Sequence, residues 1–160
     1  YIEIDKRLNL TQNLKKISTT IGPGSYTSLR VGSAFISGLM ISRKIPYYGL
    51  SIADILNFNS KKTSKKNLGV FITSPNNQQF LCYKNNDNVM EYNKIENNKC
   101  SIPKHIELIL FNKTEINENN KLQQIQFSFF DEFYKNYSNL TFKKNIIIKP
   151  IYISNNQLLN

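Results

Sequence analysis

The chain has 160 residues, 40% of them hydrophobic, and a mean hydropathy of −0.40, which fits one ordinary domain or two small lobes with a modest core. Its longest apolar stretch, residues 31–41, is broken by Gly32, Ser33, Ser37 and Gly38 and is far shorter than the roughly 20 residues that span a bilayer, so no membrane helix is expected. A formal net charge of +10 and a pI near 9.6 would draw the chain to a polyanion if its basic side chains were clustered.

The lysines are instead spread, with pairs at Lys15-Lys16, Lys61-Lys62, Lys65-Lys66 and Lys143-Lys144, and no predicted strand combines them with aromatic residues. Asn, Lys and Ile are all abundant, so a compositional origin of the charge outweighs a nucleic-acid surface as an expectation. Cys82 and Cys100 are too far apart for a CxxC pair, and His105 is the one histidine; a structural zinc site needs about four ligands. No metal site is therefore expected, and the two cysteines read as reduced thiols of a cytosolic protein. The sequence opens on Tyr1 rather than Met, and no charged start, apolar core and small-residue cleavage site marks a signal peptide.

In chain order, residues 1–10 read as the end of a helix, with Ile4, Leu8 and Leu10 loosely periodic. Residues 14–21 read as a loop leading to a short strand, in which Ile17, Thr19 and Ile21 alternate, and Gly22-Pro23-Gly24-Ser25 as a tight turn. A helix is predicted over residues 27–42. Ser25 and Thr27 can each accept a first-turn amide, Leu29, Phe35, Ile36, Leu39 and Met40 supply an apolar face, and Arg43-Lys44 complement the negative end of the dipole. Ile45-Pro46 closes it, because proline restricts the preceding residue away from helical geometry.

Residues 47–50 read as a strand and residues 51–58 as a second helix capped by Ser51. Residues 59–67 form a polar, lysine-rich linker, beyond which strand–helix alternation gives way to a hairpin. Its strands cover residues 68–73 and 79–83, around the turn Ser74-Pro75-Asn76-Asn77. A strand over residues 89–92, a loop over 93–104, a strand over 106–111 and an amphipathic helix over 127–137 follow, and apolar runs at 146–148 and 151–153 bracket Pro150. The pattern suggests two lobes, one over residues 1–58 and a smaller one over residues 59–160 that includes the C-terminal segment.

A strand, a glycine turn and a helix together can cradle an anion, because the backbone approaches closely and the helix offers free amides. The specific phosphate patterns nevertheless fail here. No lysine follows a second glycine as GxxxxGK[ST] requires, GxGxxG fails because its sixth position is Thr27, and RxxGxG/A fails because Arg30 is only two residues from Gly32. A tight turn with a helix cap is the plainer reading. In the helix, Ala34 and Gly38 lie four apart, as do Ser33 and Ser37, and Gly32 precedes them. Small residues at this spacing form a flat strip for a closely approaching helix, either internal or from another chain. An interior glycine costs roughly 1 kcal/mol against alanine, so two of them imply a packing requirement that outweighs it.

The run Gly22-Pro23-Gly24-Ser25-Tyr26-Thr27-Ser28-Leu29-Arg30-Val31-Gly32 resembles the GPGSFTGLRIG signature of the TsaB/YeaZ family. The resemblance continues through Gly38-Leu39, Ile45-Pro46 and Gly49-Leu50-Ser51. Residues 10–17 are similar to the family's lead-in to the strand, and Pro150-Ile151-Tyr152-Ile153 to its "PVYLR", with Ser154 in place of the arginine. About 40–50 residues carry the match, a large part of a single domain. The departures are a missing opening strand with its Asp-Thr-Ser motif, Ser28 in place of a glycine, and Ser74-Pro75-Asn76-Asn77-Gln78-Gln79-Phe80 where the family has a "DARRGEVY" hairpin.

The resemblance implies an α/β, actin-like (ribonuclease H-like) two-lobed fold whose first lobe lacks its N-terminal strands. It implies a non-catalytic subunit in the cytoplasm that pairs with a TsaD-like catalytic subunit and a TsaE-like ATPase to install threonylcarbamoyl on tRNA adenosine. A homodimer through the same helices is also implied, with tRNA reached through the complex, no membrane, and no cofactor on this chain, ATP being used by the partner complex. By position, Tyr26, Leu29, Ser33, Ile36, Ser37 and Met40 become the expected partner contacts. Gly22, Pro23, Gly24, Ser25 and Arg30 shape the turn that opens the helix, and Gly32, Ala34 and Gly38 are its close-packing positions. The residues themselves offer no nucleophile–base pair, metal set or Asp pair beside the glycine turn. The competing expectation is a nucleotide-dependent or glycoprotease-like enzyme that uses the turn at residues 22–25.

Overall fold

A computed structural model of the chain describes residues 13–96, 100–113, 116, 122–144 and 146–153; the helix end expected over residues 1–10 lies outside them. β1 (Ile17–Thr20) runs parallel to β2 (Tyr47–Leu50), and the 18-residue helix α1 (Tyr26–Arg43) is the crossover between them. Parallel neighbours cannot be joined by a tight turn, so strand, helix and strand form one βαβ unit. The amides of Ile17 and Ile21 donate to the carbonyls of Pro46 and Leu50 at 3.0 and 3.1 Å, which carries the pairing past both strand ends. α1 stops at Lys44, whose φ of 52° puts it in the left-handed region that breaks the helical ladder. At the other edge of β2, Tyr47 exchanges two backbone hydrogen bonds of 2.9 and 3.0 Å with Lys143.

α2 (Ile52–Ser60) starts at the expected cap. The Ser51 hydroxyl accepts from the Asp54 amide at 3.2 Å, and the Ser51 amide donates back to the Asp54 carboxylate at 2.8 Å, a reciprocal box that fixes the first turn. Ile52, Ile55 and Leu56, spaced as one helical stripe, are buried beneath it.

The second unit is a five-stranded sheet of β3 (Leu68–Thr73), β4 (Gln79–Lys84), β5 (Met90–Ile95), β6 (Leu108–Phe111) and β7 (Gln123–Gln126). The strand order is β5-β4-β3-β6-β7, antiparallel on the β4–β5 side and parallel on the β6–β7 side. Every residue of the central β3 is buried. Because successive strand side chains point to opposite faces, Val70, Ile72, Cys82, Leu108 and Leu110 meet α2 on one face, while Phe71, Leu81, Ile109 and Phe111 pack with Ile106 and Ile116 on the other. α3 (Phe129–Asn136), begun by a hydrogen bond from the Asp131 amide to the Ser128 hydroxyl, lays Phe129 and Phe133 against the first face. Its buried Glu132 is paired with Lys62 at 2.7 Å, which ties the linker after α2 to α3.

Two elements differ from expectation. β5 extends to Ile95, where the polar run Asn93-Lys94-Ile95 is held by its register against Gln79, Phe80 and Leu81 of β4. β7, with the sequence Gln-Gln-Ile-Gln, was not expected as a strand; its pairing with Leu108–Phe111 makes it one.

Residues 146–153 return to the βαβ unit. Ile148 packs with Met40 and Tyr47 in a small core completed by Ile17, Ile21, Ile36 and Ile146, and Ile153 reaches the larger core beside α2. The Ile151 amide donates to the Ile21 carbonyl at 2.7 Å.

Burial pushes the Tyr47 hydroxyl up to about 12, and it pushes the Cys82 thiol well above its usual 9.0. Tyr48 is also raised, first by burial and then by the neighbouring Asp54 carboxylate. These groups stay protonated in the native chain while the unfolded chain releases their protons. Their contribution is therefore complete below about pH 8 and is lost as the pH rises toward the folded-state values. The urea midpoint should fall between about pH 8 and pH 11, and a flat profile would contradict the burial of these groups. Cys82 and Cys100, both buried and unbridged, should react with an aromatic disulfide reagent only as the chain unfolds.

Candidate functional site

The turn between β1 and α1 is built around one backbone approach. Gly22 has φ of 110°, and a Cβ placed on it would lie 2.6 Å from the carbonyl oxygen of Ile151. Both facts demand glycine. Gly24 has open space around its Cα among the described residues, and the Gly22–Pro23 peptide is cis. The expected capping differs in detail. α1 begins at Tyr26, so Thr27 lies within its first turn, and the Ser25 hydroxyl makes no capping bond. The Ser25 carbonyl instead accepts the Leu29 amide at 2.9 Å. Tyr26 packs on Tyr152 with ring centres 4.9 Å apart, and Arg30 donates to the Tyr26 hydroxyl at 3.2 Å while lying 5.2 Å from the ring centre. Pro23 is buried and Arg30 is exposed, so the turn and its first helical residues are braced by the C-terminal segment on one side and by Arg30 on the other.

α1 carries two stripes. Leu29, Ser33, Ile36 and Met40, spaced by four, three and four, are the half-buried to buried one, with Ser37 beside it. Met40 is only 6% exposed and belongs to the core with Tyr47 and Ile148. This corrects Met40 as a partner contact: its side chain is consumed by the chain's own packing. Tyr26, at 58% exposure, is the exposed member of the expected contact set. The opposite stripe is Val31, Ala34, Phe35, Gly38 and Ile41, all exposed, with Val31 at 65% and Ile41 at 80%. A Cβ on Gly32 or Gly38 would meet nothing within 4 Å, so no described segment packs on these positions. Phe35, expected in one apolar face with Leu29, Ile36 and Met40, lies on the outward stripe. The missed signal was a second i, i+4, i+7 series, Val31, Phe35 and Gly38, running beside the first.

A cleft of about 430 Å³ separates this turn from the second unit. Ser25, Ser28 and Ser33 line one wall, and Ser74, Asn76 and Lys113 line the other. Asn112 shapes the far end, its side chain accepting the Thr73 amide at 2.8 Å and donating to the Thr73 carbonyl at 3.0 Å. None of the described residues lining the cleft is a carboxylate. Among the described residues, no group of three or more His, Cys, Asp or Glu is placed to hold a metal ion.

Against known families, the profile described as TsaD, tRNA N6-adenosine threonylcarbamoyltransferase, matches residues 3–147. The chain belongs to the TsaD family. No curated protein matches it in sequence. Two solved structures from Pseudomonas aeruginosa share its fold, and both are YeaZ-like. An uncharacterized protein with similarity to peptidase YeaZ is 10% identical, covering 96% of this chain and 80% of its own, at a TM-score of 0.53. YeaZ itself is 10% identical, covering 94% of this chain and 80% of its own, at a TM-score of 0.52. The mixed α/β architecture is thus the actin-like fold of the TsaD and YeaZ proteins, as the resemblance implied.

In this TsaD-family chain the two glycines of the turn should behave differently. Gly22→Ala should destabilise by about 1–3 kcal/mol from backbone strain alone, with further loss as Ile151 is displaced. Gly24→Ala should stay within about 0.5 kcal/mol of the parent. Urea unfolding of the two variants checks this; equal effects would contradict the backbone contact.

Proposed function

We propose that this chain is a non-catalytic, partner-binding subunit of the machinery that installs threonylcarbamoyl on tRNA adenosine, and that it pairs with a TsaD-like catalytic subunit through α1. The observation that carries this reading is the exposed stripe Val31, Ala34, Phe35, Gly38 and Ile41. Its small residues allow a second helix to approach closely, and its apolar ones reward that approach with buried area. The helix keeps Gly32 and Gly38 at a cost of roughly 1 kcal/mol each, with nothing of its own packed there among the described residues. A partner helix explains the cost. The same face would serve a homodimer, and a TsaE-like ATPase would join the assembled pair. In this reading the chain needs no cofactor of its own, ATP is used by the partner complex, and the assembly works in the cytoplasm. No described helix is long and apolar enough to cross a membrane.

A second reading, a nucleotide-dependent or glycoprotease-like enzyme, draws on the cleft beside the Gly22–Ser25 turn and its Lys113. Its weakness is the lining. Phosphoryl-transfer sites hold Mg²⁺ through carboxylates, and a side chain of that kind is missing from the described walls. Calorimetric titration of the isolated chain with ATP and ADP discriminates the two; tight binding favours the enzyme.

Co-expression with a TsaD-like subunit should give a stable heterodimer on size-exclusion chromatography. Gly38→Arg should keep or modestly raise the urea midpoint of the free chain, because the side chain enters open space and the helix cost of glycine is removed, yet weaken pairing by at least about tenfold. Migration of the two chains as separate species, or pairing indifferent to Gly38→Arg, would sink the proposal.

A further inference from the structure

The sequence scatters its lysines, and the fold sets one of them, Lys16, over aromatic rings, with exposed lysines next in sequence to the members of that cluster. The Lys16 ammonium lies 4.8 Å from the centre of the Phe142 ring and 5.1 Å from that of Tyr137. Phe142 also packs against Phe133 and Tyr137, so the start of β1, the end of α3 and the segment after it share one surface. On α3, Phe130 and Tyr134 stand one turn apart, stacked with ring planes 13° apart, and they are 72% and 74% exposed. Exposed Lys15 precedes Lys16, exposed Lys135 follows Tyr134, and exposed Lys143 and Lys144 follow Phe142. The carboxylates of this helix are exposed Asp131 and Glu132, the latter buried in its pair with Lys62. Alongside runs a groove of about 390 Å³, bounded by Ile17 and Leu50 on one side and by Phe129, Phe130 and Phe133 on the other.

We propose that this surface binds a single-stranded stretch of RNA, with unpaired bases stacked on Phe130 and Tyr134 and phosphates neutralised by the surrounding lysines. Flat exposed rings interleaved with cations are what an unpaired, negatively charged strand requires. Every base offers a π-face, and each neutralised phosphate releases counterions. A duplex would hide its base faces from these rings. The net charge of +10 complements a polyanion, and Lys16 over Phe142 and Tyr137 joins cation and rings from segments far apart in the sequence. The proposal rests on the reading above only for the identity of the RNA as tRNA; the surface lies on α3 and not on the α1 stripe.

The test is fluorescence anisotropy of the full chain with a short labelled oligouridylate, competed by an RNA duplex of equal length. The single strand should bind more tightly than the duplex, with log K falling against log salt at a slope of roughly −3.5 for five lysines. The double variant Phe130→Ala, Tyr134→Ala should weaken binding by about tenfold or more and leave the salt slope unchanged. The triple variant Lys135→Gln, Lys143→Gln, Lys144→Gln should make the slope shallower by about two. All five positions are exposed, and far-UV circular dichroism checks that each variant folds. Absence of binding, equal affinity for duplex, displacement by an acidic peptide of matched charge, or an aromatic variant that binds like the parent would overturn the proposal. Gly38→Arg should retain RNA binding, so failure of subunit pairing and failure of the RNA surface are read separately.

Discussion

The contact on which the rest of the structure depends is the approach of the Ile151 carbonyl to the bare Cα of Gly22, locked by the hydrogen bond from the Ile151 amide to the Ile21 carbonyl at 2.7 Å. It brings the last described segment of the chain back to the turn between β1 and α1. Ile148 and Ile153, on either side of the contact, then fall into two different cores, one beneath α1 and one beside α2. A side chain at position 22 would push these cores out of register, which is why a residue with no contact surface of its own holds the two units together.

The same contact decides what α1 can offer. A parallel pair of strands is normally buried on both faces within a larger sheet, whereas β1 has only β2 as its described neighbour. The pair is covered instead by the inward stripe of α1 and by Ile146 and Ile148 from the C-terminal segment. That leaves the outward stripe exposed among the described residues. A helix whose inner side is fixed by Leu29, Ile36 and Met40 presents Val31, Phe35 and Gly38 in a preset orientation, so a partner would dock on a surface that needs no ordering first.

Much of this was legible in the sequence, and the reasons are local. The turn at residues 22–25, the strand at residues 47–50, the Ser51 cap and the β3–β4 hairpin are specified by residues that leave few alternatives: glycine, proline, a capping serine with Asp54 three residues on, and a Pro-Asn-Asn turn. β7 and the last half of β5 were not legible, because Gln-Gln-Ile-Gln and Asn-Lys-Ile carry no alternation and become strands only through their neighbours. The inner and outer sides of α1 were partly misjudged for a different reason. The helix is apolar or small nearly all round, and periodicity alone cannot say which of two stripes meets the core. Phe35, read into one apolar face with Met40, falls on the outer side for that reason.

The aromatic–lysine surface was invisible to a linear reading for a geometric reason. Its members come from residues 15–16, 130–137 and 142–144, and they meet only because Lys143 pairs with Tyr47 at the edge of β2 while α3 packs on the far sheet. A search for basic residues and aromatics on one strand passes over such a patch, since none of its segments has both in quantity. Within the fold, the charge and the rings occupy a surface built by α3 and the segment after it, while the exposed helix stripe lies on α1. The two proposed surfaces thus lie on separate elements of one small chain. The separation follows from the return of residues 146–153, which lie against the inner stripe of α1 and leave both outer surfaces exposed among the described residues.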